Sequence, residues 1–159
     1  MKYKSGSVKK AMIRPYKPED NERLLEIFRR NTPKYFDKSE LYDFEEYLNE
    51  RSETYLTIEM DNTIVGGTGY YVDSDTKSGR ITWIFFDPAY SGQGLGKRSV
   101  QHCLGLLSKD ERVEKFMVTT SQLAYPFFKK LGYHVTRIEK DHWGEGLDLY
   151  EMEKNNNCI

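Results

Sequence analysis

"WIFFDPAYSGQGLGKRSV", Trp83–Val100, passes from an apolar run through Asp87-Pro88 into three glycines and then into a helical pattern. The aspartate-proline pair closes a strand, because proline removes an amide donor and restricts the residue before it. Gly92, Gly94 and Gly96 alternate with Gln93 and Leu95, so successive backbone amides can turn toward one point with no Cβ in the way. The following helix, with Val100, Cys103, Leu104 and Leu107 as its apolar stripe, is expected to run to about Ser108. Its N-terminus adds partial positive charge, and Lys97 and Arg98 add full charges. Two readings stand at this point: a cradle for a pyrophosphate, or a tight connection between strand and helix.

Two nucleotide motifs fail on the loop. A P-loop ending in Gly96-Lys97 would need glycine where Ser91 stands and Ser or Thr where Arg98 stands. The dinucleotide fingerprint fails from Gly92, where its last position is Lys97, and from Gly94, where it is Ser99.

Outward from the loop, the chain reads as alternating elements. "AMIRPYKPED" is a short strand and turn, and Pro18, Glu19 and Asp20 open a helix to about Arg30 with Leu24, Ile27 and Phe28 on one face. "TPKYF" interrupts, and Ser39 is expected to cap "ELYDFEEYLNE", with Leu41, Phe44 and Leu48 inward. "ETYLTIEMDNTIVGGTGYYV" reads as a hairpin turning at Asp61-Asn62. "SDTKSG" turns into the strand "RITWIFF". Past the glycine loop come the strand "EKFMVTT", a helix with Ala124, Phe127, Phe128 and Leu131 stopped by Gly132, and the strands "YHVTRIE" and "LDLYEMEK". The order β-α-α-β-β-β-α-β-α-β-β predicts one α/β domain over residues 11–154, with a flexible arm at 1–10 and a tail at 155–159.

Composition narrows the function. A chain of 159 residues suits a single core, and a net charge of −1 argues against a nucleic-acid binder working through a global basic field. Its two cysteines, Cys103 and Cys158, make no disulfide framework. His102, His134 and His142 are scattered without metal-ligand spacing, so no metal is expected. No apolar stretch approaches the length of a membrane span, and no signal-peptide core precedes the domain. A cytoplasmic protein with no nucleic-acid or membrane partner, monomeric or homodimeric, is the expectation.

Two segments together resemble the GNAT superfamily of acetyl-CoA-dependent N-acyltransferases. The first is the glycine loop, where Ser91, Gly94 and Gly96 take the places of the family pattern Q/R-x-x-G-x-G/A. The second is "TTSQLAYPFFKKLGY", similar to N-x-x-A-x-x-F-Y-E-K-L-G-F at Ala124, Phe127, Lys130, Leu131, Gly132 and Tyr133. The resemblance implies a mixed central sheet flanked by about four helices, with two parallel strands, "ITWIFF" and "KFMVTT", splayed at the CoA site. It implies that acetyl-CoA is the cosubstrate. The main chain of Phe85 and Phe86 would hold the pantetheine arm, and the amides of Gly92, Gln93, Gly94, Leu95, Gly96 and Lys97 would hold the pyrophosphate. Ser121 would face the pantetheine, and Phe128 would lie near the thioester sulfur.

The departures bear on catalysis. Phe128 stands where many members have a tyrosine that protonates the leaving thiolate, and Tyr125, one turn earlier, is the alternative acid. Arg80 and Thr82 stand where some members carry a Glu or His base. His142, in "KDHWGEG", is the preferred base because imidazole titrates near neutrality. His134, Asp141 and Glu145 are the other titratable groups considered. The implied acceptor is the primary amine of a small molecule, with a peptide as the alternative, bound by the first two helices, Tyr35, Phe36 and the segment containing Trp143. A non-catalytic CoA-binding module is the rival reading.

Overall fold

The structure, a computed structural model, describes residues 11–158, so the arm expected over residues 1–10 lies outside the described residues. Seven strands form one sheet: β1 (Ala11–Pro15), β2 (Tyr55–Met60), β3 (Thr63–Asp73), β4 (Ser78–Phe86), β5 (Lys115–Thr120), β6 (His134–Gly144) and β7 (Leu147–Asn155). Their spatial order is β1-β2-β3-β4-β5-β7-β6. Every pairing is antiparallel except β4 with β5. Those two strands are joined through a helix, the crossover that parallel neighbours require.

Helices α1 (Asn21–Arg30) and α2 (Glu40–Glu50) cover one face of the sheet, and α3 (Leu95–Leu107) and α4 (Tyr125–Lys130) cover the other. On the first face Leu24, Ile27, Phe28 and Phe44 pack with Tyr55 and Phe85. On the second, the expected α3 stripe of Val100, Cys103, Leu104 and Leu107 packs with Ile81, Phe116, Val118 and Phe128. Burial pushes the Cys103 thiol up to about 12, so it behaves as an inert apolar side chain. Among the described residues, no helix is long and apolar enough to cross a membrane.

Local chemistry accounts for most boundaries. Asp61 and Asn62 both adopt positive φ, 52° and 64°, the left-handed pair of a tight hairpin turn. Gly132 at φ 98° ends α4, as expected. The cap of α2 differs from expectation. Ser39 is already helical in φ and ψ and makes no cap bond; its hydroxyl donates to Asp37 Oδ2. The capping pair is Asp37 and Glu40 instead: the Ser39 amide donates to Asp37 Oδ2 (3.0 Å), and the Asp37 amide donates to Glu40 Oε2 (2.9 Å). At the C-terminal end β7 runs to Asn155, and Asn156 donates to Val113 O (2.8 Å), so the expected tail begins inside the sheet.

The sheet is irregular at one place that matters. Gly67 pairs with Phe85 and Gly69 with Thr82, so Thr68 is opposed by both Trp83 and Ile84. Trp83 takes φ 51°, and its carbonyl accepts from the buried Tyr55 hydroxyl at 2.9 Å. This is a β-bulge, which bends the strand that carries it. Gly67 leaves room for the Tyr55 ring: a Cβ there would lie 2.6 Å from it.

Asp87 fixes the end of β4. It is 2% exposed and accepts from Arg23 Nη2 (2.9 Å), Arg30 Nη1 (3.0 Å) and the Ala89 amide (3.0 Å). Burial alone would raise its pKa, but the Ala89 amide and the two arginines outweigh it and hold the carboxyl below its ordinary 3.8. That stabilisation is present above the unfolded-state value and is lost as pH falls through the lower folded-state value. Asp87→Asn should therefore cost about 1.5–3 kcal/mol near neutral pH, the range for hydrogen bonds to charged groups. In urea unfolding the gap between wild type and variant should narrow as pH drops below 3.8; a gap independent of pH would contradict this account.

Candidate active site

The parallel ladder between β4 and β5 ends at Ile81↔Val118. Beyond it β4 stays with β3 and β5 with β7, so the two strands part. A cleft of about 900 Å³ occupies the gap. Its lining includes Ile81 and Val118 at the end of the parallel ladder, Phe128, the glycine loop, Ser121, Tyr35, Phe36 and Glu40. The Asp87 amide donates to Val65 O (2.7 Å), and Gly67↔Phe85 is the next bonded pair in that alternation. Phe86 falls between them, which turns its amide and carbonyl away from β3. Its carbonyl accepts from Asn31 Nδ2 at 3.0 Å.

The loop is built for a close approach. Asp87 caps the single turn Pro88–Tyr90. Gly92 and Gly94 follow with φ of 79° and 76°, and a Cβ on either would meet nothing within 4 Å. Left-handed backbone with open space beside it is a surface that a ligand's phosphates can reach, next to the N-terminus of a thirteen-residue helix. Gly96 has a different reason: a Cβ there would lie 2.9 Å from the Phe127 ring, so it lets α3 pack against α4. Leu95 anchors the first turn, buried with Ile58, Met60 and Val65. The open backbone at Gly92 and Gly94 leaves room for an anionic group beside the N-terminus of α3.

The residues named from sequence fall into two groups. Phe85, Phe86, Gly92, Gln93, Gly94, Leu95, Gly96, Ser121 and Phe128 all line the cleft, and Lys97 follows on the exposed first turn of α3. Ser121 is buried and its hydroxyl accepts the Leu123 amide (3.3 Å). Phe128 is buried edge-to-face against Tyr133. The two side chains expected to be catalytic do not line the cleft. The Tyr125 ring stacks on Tyr150 at 4.7 Å between centroids, because Pro126 holds it at the start of α4 beside β7. His142 sits edge-on to Trp143 with Nδ1 on Glu139. Its neighbour Trp143 does reach the cleft, with Nε1 donating to Thr120 O at 3.0 Å. Thr82 lines the cleft and Arg80 does not.

Glu40 is the functional candidate that sequence reasoning missed. It lines the cleft from the first turn of α2 and is 7% exposed. Burial pushes its carboxyl up to about 7; the Asp37 amide pulls it down, the nearby Asp37 and Asp43 charges push it up, and His142 lowers it. The spacing Asp37-x-x-Glu40 was visible as a capping box, but a cap glutamate is ordinarily a surface residue. Only the tertiary fold covers this one.

The acetyltransferase (GNAT) family profile matches residues 21–133. The peptidyl-lysine N-acetyltransferase YjaB of Salmonella typhimurium is 27% identical over 150 residues, spanning 88% of this chain and 95% of YjaB. Among solved structures, Ard1 from Thermoplasma volcanium is similar with a TM-score of 0.74 at 19% identity, covering 91% of this chain and 97% of Ard1. N-acetylglutamate synthase from Neisseria gonorrhoeae, complexed with coenzyme A and N-acetyl-glutamate, is similar with a TM-score of 0.71 at 14% identity. That match covers 92% of this chain and 35% of the synthase. With a family match over most of its length, the chain belongs to the GNAT acetyltransferase family, as an acetyl-CoA-dependent N-acyltransferase.

Proposed function

We propose that this protein acetylates the primary amine of a small molecule, by direct attack of the amine on acetyl-CoA while both are bound. The observation that carries this reading is the continuity of one cleft from the glycine loop to a wall of Tyr35, Phe36, Trp83 and Trp143. A cleft of about 900 Å³ lies within the size range of sites for small molecules. Acetyl-CoA supplies an activated acyl carbon. The amides from Gly92 to Lys97 would hold its pyrophosphate and the main chain at Phe86 its pantetheine arm, since the Phe85 amide and carbonyl are turned to β3, and Ser121 and Phe128 would border the thioester. Holding both reactants in one cleft supplies proximity, and the strand amides favour the developing oxyanion. Phe128 has no proton to give. A departing thiolate whose acid titrates near about 8.5 leaves readily, and the proton that the amine sheds as the amide forms neutralises it.

The YjaB relationship favours a second reading, in which a lysine side chain of a peptide is the acceptor. Both carry the same ammonium group, so the acceptors must be compared directly. Purified protein with acetyl-CoA should release free thiol faster with small primary amines than with lysine-containing peptides. The reverse preference would support the peptide reading, and no thiol release with either would refute both.

The loop assignment has its own test. Gly94→Asp places a side chain into the open space beside the loop, adds negative charge, and strains a φ of 76°. Acetyl-CoA affinity by calorimetry should fall about tenfold or more, at least ~1.4 kcal/mol. Unchanged affinity would place the phosphates elsewhere.

A further inference from the structure

Two carboxylates line the cleft, Glu40 and Asp87. Asp87 is committed to Arg23, Arg30 and the Ala89 amide. Glu40 has one hydrogen bond, from the Asp37 amide to Oε2, and Oε1 has no protein partner among the described residues. Around it the same cleft is aromatic: Phe36 and Trp83 stack with ring centroids 6.3 Å apart, and Tyr35 and Trp143 complete the lining on this side. Strand β6 packs tightly onto the turn before Glu40, since a Cβ on Gly144 would lie 2.5 Å from Asp37 Oδ1. That contact brings His142 within electrostatic reach of Glu40.

Resting on the acetyltransferase reading above, we propose that Glu40 removes the proton from the acceptor's ammonium group, and that the acceptor carries this amine on an apolar or aromatic body lying against Tyr35, Phe36, Trp83 and Trp143. One N–H proton passes to Glu40 Oε1, leaving the lone pair on nitrogen. That pair forms the C–N bond at the thioester carbonyl carbon, and the electrons of the C–S bond leave with sulfur. A second N–H proton is shed as the amide forms and neutralises the thiolate. Glu40 returns its proton to water, so each turnover releases one proton.

The environment suits the step. A primary ammonium titrates near about 10, and an ordinary glutamate lies about six units below it. With its carboxyl near 7, Glu40 closes about half of that gap while staying largely ionised above neutrality. Asp37 and Asp43 raise its basicity and His142 lowers it, with Arg30 and Lys34 the other charged groups lining this cleft beside Asp87. An ammonium among aromatic faces is also stabilised by their quadrupoles until it gives up its proton.

The test compares wild type, Glu40→Gln and Glu40→Asp with acetyl-CoA and three probes: 2-phenylethylamine, n-pentylamine and glycine. Wild type should prefer the first two, with kcat rising with pH through about 7. Glu40→Gln should lose about 100-fold or more in kcat, together with that limb, while still binding acetyl-CoA. Glu40→Asp should keep a limb at a lower rate, and His142→Asn should move the wild-type limb to higher pH. A readout independent of turnover is carboxyl ¹³C NMR of the protein alone, where a glutamate titrating near 7 should vanish in Glu40→Gln. If that variant does not fold, the NMR titration and Glu40→Asp decide: an ordinary Glu40 titration, or no limb with aspartate, overturns the proposal. Wild-type turnover of these amines with an unimpaired Glu40→Gln enzyme overturns it alone. Absence of wild-type turnover with any amine overturns it together with the function above.

Discussion

A strand in a sheet has two edges, and β4 cannot satisfy both along its whole length. Up to Ile81 it bonds β3 on one side and β5 on the other; from Thr82 onward it keeps only β3. The bulge at Trp83 is the local cause, because the extra residue opposite Thr68 bends β4 away from its parallel neighbour. The cost is a set of main-chain groups with no ladder partner, of which those of Phe86 are the clearest. A folded chain leaves such groups out of a ladder only where water, a side chain or a ligand can reach them. Asn31 takes the Phe86 carbonyl, and the cleft supplies access for the rest.

Everything that frames the cleft follows from holding that divergence in place. Tyr55 grips the bulged carbonyl from β2, and Gly67 and Gly69 of β3 leave room for its ring. Asp87 then locks the end of the strand to α1 through two arginines and turns the chain toward the glycine loop. The second end of α1 leads through Tyr35 and Phe36 into α2, so the helix that anchors β4 also delivers the aromatic wall. Glycine loop and aromatic wall are therefore mechanically joined through one buried carboxylate.

Much of this was legible in the chain. The hairpin at Asp61-Asn62, the helix stop at Gly132 and the stripe of α3 follow from backbone preference and periodicity, which act over a few residues. The glycine loop was ambiguous alone and gained meaning from its pairing with the Ala124–Tyr133 segment. The cap of α2 misled, because Ser39 and Asp37 are both competent caps and their competition is decided by which geometry lets Glu40 close the box. Tyr125 and His142 were chosen for their chemistry, yet packing turned one onto Tyr150 and set the other against Trp143 and Glu139.

The sequence by itself determined the order of elements, the membership of the family and the residues that form the glycine loop. These depend on local backbone chemistry: glycine's access to positive φ, proline's missing donor, apolar spacing. Only the tertiary structure decided where β4 leaves β5, which loop glycine serves packing, and which carboxylate is shielded inside the cleft. Each of those is a contact between residues far apart in the chain. A glutamate becomes a base near neutrality through the solvent it loses and the charges around it, neither of which is written at its own position.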